Sequence, residues 1–160
     1  MHTELVAASS SDRPILIGLL DSYLRELALH REIAVGATGS HNYPYLDAYF
    51  HEPGRYPFLI RRDGAVVGFA LIRAPESTGR AWQVAEFYVD PQNRRGGVGR
   101  AAIGLIWKRF PGERELQIHA RNNAAIQFWT SCVKETAHTE AMITNVNASD
   151  GRRLQLNFRA

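Results

Sequence analysis

Two arginines and three glycines fall within six residues at Arg94-Arg95-Gly96-Gly97-Val98-Gly99, and Arg100 follows at once. Residues of these types at this spacing suit an anion, a phosphate above all. Glycines let the backbone approach closely with its N–H groups turned inward, and guanidinium forks meet phosphate oxygens in pairs. A carboxylate, Glu86, precedes the loop among β-branched and aromatic neighbours. In a half-buried strand its pKa should rise, which suits it to take a proton; pairing with a nearby arginine is the competing role. His119 is a weaker rival for that work. The one cysteine, Cys132, excludes an internal disulfide framework and reads as core. No His/Cys/Asp cluster has metal-ligand spacing, so no metal is expected.

The elements that must position these groups are a strand before the loop and a helix after it. Trp82 to Val89 alternates as a strand, with Trp82, Val84, Glu86 and Tyr88 expected on one face and Gln83, Ala85, Phe87 and Val89 on the other. Asp90-Pro91 ends it, because proline cannot donate to a ladder and restricts the residue before it. A helical stripe starts at Val98 and continues through Ala101/Ala102 and Leu105/Ile106 to the breakers Pro111-Gly112. Gly97, Gly99 and Ala102 also fit a relaxed dinucleotide fingerprint, Gly-x-Gly-x-x-Ala. Chain order argues against that fit. A dinucleotide domain places its glycine loop after its first strand, in a parallel βαβ unit. Here three antiparallel strands precede the loop.

Those strands are read from Phe58–Arg62 and Ala65–Arg73, joined by Asp63-Gly64, followed by a turn over 75–79 into the strand at Trp82. Upstream, 3–8 reads as a first strand. A leucine-rich stripe from Ile15 to Leu27, with Pro14 in its first turn, predicts a helix to about His30. A loop over 34–42 and a short helix over 43–52 follow. Downstream, Glu115–Ala120 is a fifth strand, whose long crossover helix implies parallel pairing with the central one. Asn122-Asn123 opens a second long helix; as its N-cap, Asn122 has a local job of its own. Thr136–Thr144 and Arg152–Arg159 are expected to close the chain as a hairpin around 145–151.

Pro91-x-x-Arg94-x-x-Gly97-x-Gly99 resembles the acetyl-CoA pyrophosphate loop of the GNAT N-acetyltransferases, and Asn122-x-x-Ala125-x-x-Phe128-Trp129 is similar to that family's Asn-x-x-Ala-x-x-Phe-Tyr segment. The two lie in family order, twenty-three residues apart from Gly99 to Asn122. The resemblance implies an α+β fold, with a mixed, mostly antiparallel sheet splayed between strands 4 and 5 and helices on both faces. It implies acetyl-CoA as co-substrate. The backbone of Phe87, Tyr88 and Val89 would pair with the pantetheine arm, and Arg94, Arg95, Gly96, Gly97, Val98, Gly99 and Arg100 would hold the pyrophosphate. Asn122, Ala125, Phe128 and Trp129 would flank the arm. Tyr45 and Tyr49, in the short second helix whose approach from the first borders the acceptor site in that family, become candidates for the acceptor side; packing of that helix on the sheet is their alternative. Trp129 departs from the pattern: many relatives carry a tyrosine able to protonate the leaving thiolate, and an indole N–H has no usable pKa for that.

At 160 residues, 45% hydrophobic and 22% charged, the chain reads as one domain over residues 1–160. Its net charge of +3 is small and dispersed, which suits an anionic ligand better than nucleic acid. No run has membrane-spanning length and no signal-peptide core is seen, so the cytoplasm is the expected compartment. The expected function is transfer of acetyl from acetyl-CoA to a primary amine, on a small molecule or a peptide, with Glu86 as base and no covalent intermediate. An acyl-CoA-binding module without turnover is the alternative, and a homodimer is left open.

Overall fold

The computed structural model describes residues 2–29, 43–75, 81–137, 140–149 and 151–160. The expected loop at 34–42, the end of the first helix at His30 and most of the turn at 75–79 lie outside them. Seven strands form one sheet in the order β1-β2-β3-β4-β5-β7-β6. These are β1 (Thr3–Ala7), β2 (Arg55–Arg62), β3 (Ala65–Arg73), β4 (Trp82–Val89), β5 (Glu113–His119), β6 (Met142–Ala148) and β7 (Gly151–Arg159). The β4/β5 pair is parallel and the other pairs are antiparallel. Helices α1 (Arg13–Leu27) and α2 (Leu46–His51) cover one face; α3 (Val98–Arg109) and α4 (Asn123–Thr136) cover the other. The mixed α+β architecture is the one expected.

Each face has its own core. Leu16 and Leu20 of α1 pack with Leu46 and Tyr49 of α2 on Leu59, Phe69, Leu71 and Tyr88. Ile103, Ile106 and Trp107 of α3 pack with Trp129, Cys132 and Val133 of α4 on Phe58, Ile72, Leu116 and Leu156. The β2–β3 turn is the two-residue kind expected: Asp63 and Gly64 both have positive φ, 50° and 84°, which matches the twist of paired strands.

Two expectations are corrected. Thr136 ends a helix instead of starting a strand, its hydroxyl donating to Cys132 O at 2.8 Å and accepting from Trp107 Nε1 at 2.9 Å. The closing hairpin is also tighter: β6 reaches Ala148, paired with Gly151, so most of the expected turn is ladder. Asn145 and Asn147 favour a loop by type, but pairing with β7 overrides that propensity.

The facing of β4 is the third correction. Leu71 pairs with Glu86 while Ile72 pairs with Val84, so Ala85 is an extra residue in a β-bulge. The bulge resets the alternation. Trp82, Val84 and Phe87 pack toward α3 and α4, whereas Ala85 and Tyr88 pack toward α1 and α2. Strict alternation from Trp82 would put Glu86 with Val84; the bulge instead brings Glu86 to the α1 side with Tyr88.

Candidate active site

Strands β4 and β5 meet only at Trp82↔Arg114 and Gln83↔Glu115. Gln83 Nε2 donates to Glu115 Oε2 at 2.6 Å, and the Trp82 and Phe110 rings lie 4.5 Å apart. Arg114 is buried there, its guanidinium 4.3 Å over the Trp107 ring and donating to the carbonyls of Trp107 and Ala160. Burial pulls its pKa down to about 10, still high enough to keep the charge at neutral pH. Beyond this joint the strands part around a cavity of about 260 Å³. Val84 to Val89 form one wall and Leu116 to His119 the other; α4 contributes Asn122, Ala125, Phe128 and Trp129, and α1 contributes Tyr23, Glu26 and Leu27.

Glu86 sits on this wall with Tyr23 Oη donating to its Oε2 at 2.5 Å. The Tyr23 ring is held edge-on to Phe69 at 5.5 Å and tilted against Tyr88 at 5.7 Å. Behind this pair, the phenols of Tyr43 and Tyr49 are held above the ordinary value of 10.0. Burial is the largest cause for both, and the charge of Glu86 adds to it. Both phenols are therefore neutral at physiological pH.

The glycine loop follows β4. Asp90 accepts from Gln92 N at 3.1 Å and starts a short 3-10 turn. Gly96 and Gly97 then take φ of 122° and 84°, and Gly97 is the N-cap of α3. Positive φ at two successive positions is strained for any other residue, which explains the paired glycines. Val98 and Gly99 are buried. A Cβ on Gly99 would lie 3.0 Å from the Phe128 ring, so a side chain here would press on that ring where α3 meets α4.

The loop's arginines diverge. Arg94 donates from Nε to Val89 O at 2.8 Å and from Nη1 and Nη2 to the two oxygens of Glu26 at 2.9 and 2.7 Å. Those bonds hold its pKa above the usual guanidinium value, against the opposing effect of burial. Arg95 is exposed. Arg100 donates to Ser131 Oγ at 2.7 Å and pairs with Glu135, tying α3 to α4. Arg62, at the end of β2, brings its guanidinium against Gly96, 3.1 Å from where a Cβ would stand.

Asn122 caps α4, its side-chain oxygen accepting from Ala125 N at 3.2 Å. Phe87, Phe128 and Trp129 form an aromatic group at the cavity wall, with Trp129 edge-on to Phe87 at 5.3 Å and to Phe128 at 5.4 Å. His119 is nearly buried and its Nδ1 accepts from Arg121 N at 3.2 Å. The structure thus brings together Glu86, Phe87, Tyr88, Val89, Arg94, Gly99, Asn122, Ala125, Phe128 and Trp129 around one cavity. Tyr45 and Tyr49 are not in that lining: Tyr45 is exposed beside Tyr43, and Tyr49 is core, with Arg55 5.2 Å over its ring. Tyr23, Glu26 and Arg62 escape sequence reasoning. Tyr23 reads as one more position in a helical stripe, and the contacts of all three span tens of residues. Among the described residues, no group of three or more His, Cys, Asp or Glu could hold a metal ion, and no helix is long and apolar enough to cross a membrane.

Solved structures similar to this chain include an acetyltransferase from Thermus thermophilus, with TM-score 0.75 and 13% identity over 100% of this chain and 98% of the other. A ribosomal-protein-alanine N-acetyltransferase from Brucella melitensis matches with TM-score 0.69 and 20% identity, covering 98% and 99%. A structure from Bacillus anthracis str. Ames, named for streptothricin acetylation and solved in complex with acetyl coenzyme A, matches with TM-score 0.65 and 15% identity, covering 100% and 99%. At these identities the likeness is one of fold. No curated protein matches the sequence. The model of the acetyltransferase (GNAT) family matches residues 22–132, a span running from α1 through the glycine loop to Cys132. The chain belongs to the GNAT acetyltransferase family.

Proposed function

We propose that this chain moves the acetyl group of acetyl-CoA to a primary amine by direct attack within a ternary complex, residues 1–160 working as one domain. One observation carries the reading: a phosphate-type loop and a carboxylate share a single cavity in a split sheet. The residues present fit the co-substrate. The edge of β4 beyond Gln83 is not paired with β5, so the backbone of Phe87, Tyr88 and Val89 can receive the pantetheine amides as an added strand would. Gly96 to Gly99 and the N-terminus of α3 can receive the pyrophosphate, with Arg95 beside them and Arg94 bracing the loop on Glu26. Asn122, Ala125, Phe128 and Trp129 flank the arm.

Bound acetyl-CoA supplies a thioester carbon with a thiolate to leave. Glu86 takes the proton the amine must lose, and the two walls hold the reactants together and keep water out. Trp129 Nε1–H can donate a hydrogen bond but has no proton to give at neutral pH. Two of the similar structures are named for acetylating streptothricin and a ribosomal-protein alanine, which supports an amine acceptor on a small molecule or a peptide. The Glu86 carboxylate on the α1 side favours a cationic one, the charge of Glu26 being taken up by Arg94. The second reading, acyl-CoA binding without turnover, is favoured by Trp129 standing where an acid would be.

An amine panel assayed for thiol release tests this. Wild type should turn over, and Glu86→Gln should be slower by about 10²–10⁴-fold, the usual worth of a general base. Acetyl-CoA should raise Tm in both by mass action, and the exposed Glu140→Gln should match wild type. A Tm rise with no acetylated amine selects the binding module. No rise at millimolar acetyl-CoA overturns the site itself.

A further inference from the structure

Tyr23 and Glu26 stand three residues apart on α1, and so on one face of it. That face holds both halves of the candidate site. Tyr23 Oη donates to Glu86 Oε2, and Glu26 takes the Arg94 guanidinium in a two-bond fork. The turn is itself anchored, because Leu16, Leu20 and Leu24 are buried beneath it. We propose that Tyr23 is the positioning residue of the base: by holding Glu86 Oε2 it fixes the direction in which the carboxylate meets the amine. This rests on the assignment of Glu86 as base.

A carboxylate at the end of a flexible side chain offers either oxygen and many directions. A phenol clamped between Phe69 and Tyr88 removes that freedom with one short, charge-assisted bond. The bond also favours the ionised carboxylate. Among the described residues, the titratable groups that act on Glu86 or share its cavity are Tyr43 and Tyr49 near α2, Glu26 from α1, Tyr88 on β4, Arg94 in the loop and His119 on β5. Arg55 from β2 acts on both Tyr43 and Tyr49, and Arg73 from β3 on Tyr49. All remain in Tyr23→Phe, which deletes only the hydroxyl.

The test is a carboxyl titration by NMR on protein carrying ¹³C-labelled glutamate side chains, in which the Glu86 signal is the one missing from Glu86→Gln. In Tyr23→Phe its midpoint should move up by about one pH unit or more, as loss of a hydrogen bond to a charged group requires. The acidic limb of kcat/KM for an accepted amine should move with it, while the Tm rise given by acetyl-CoA stays at the wild-type value. An unmoved midpoint in folded Tyr23→Phe overturns the proposal. If that variant does not fold, the wild-type protein decides: a downfield, slowly exchanging phenolic proton lost in Glu86→Gln supports the bond, and its absence overturns it. Wild-type turnover by Glu86→Gln would instead sink the base assignment, a result the carboxyl titration cannot produce.

Discussion

Trp129 is the residue where this chain departs from the motif it resembles, and its surroundings say what it does instead. The indole is 8% exposed, edge-on to Phe87 and Phe128, and forms part of the cavity wall. A wall residue contributes shape and dryness. Trp129→Phe should therefore leave the chemical step within several-fold of wild type in single-turnover measurements. A loss near a thousandfold with unchanged acetyl-CoA affinity would show that the indole, or a water it holds, handles a proton. At this scale the sequence is legible where chemistry is local. Gly97 and Gly99 announce a loop and a close approach by type alone, and Asn122 announces a helix cap. It is silent where chemistry is long-range. Nothing near Tyr23 marks it as the partner of a carboxylate 63 residues away, and nothing near Arg94 marks Glu26 as its counter-ion.

Among the elements, β4 shows best how a strand with the correct boundaries can still be misread. Its span, Trp82–Val89, follows from composition and from Asp90-Pro91, but the side each residue faces does not. A bulge is set by pairing with a neighbouring strand, and period-two reasoning on one strand cannot see it. The same neighbour makes a second demand. A Cβ on Gly68 of β3 would lie 2.1 Å from the Tyr88 carbonyl oxygen, so no side chain fits there without moving backbone. Gly68→Ala should therefore force backbone apart and cost about 3 kcal/mol by denaturant titration, the upper end of overpacking penalties. Gly104, where a Cβ meets nothing, is the comparison: Gly104→Ala on α3 should be neutral or stabilising. Equal effects at the two positions would refute the packing argument.

For the whole molecule, the core beneath α1 and α2 leaves a signature in alkali. Tyr43 and Tyr49 have folded-state pKa values raised above 10.0, chiefly by burial. The unfolded chain releases these protons first, so the folded state holds more protons above that point. The stability they contribute is fully present below pH 10 and is lost as pH rises beyond it. Melting curves should show Tm falling above about pH 10 more steeply than in Tyr43→Phe or Tyr49→Phe. Parallel slopes would show that the phenols ionise freely in the native state.

The joint between β4 and β5 can also be treated as a hinge with a lever arm. Six residues of β4, Val84 to Val89, extend past the last pair with β5. At about 3.3 Å each they make an arm of about 20 Å, so a rotation of only about 3° at Gln83 moves the loop end by about 1 Å. A misplacement of about 1 Å can cost about 10²-fold in rate. The Gln83–Glu115 bond, the Trp82–Phe110 stack and the buried Arg114 then set the mechanical tolerance of chemistry far along the strand, although none of them touches the acceptor or the loop.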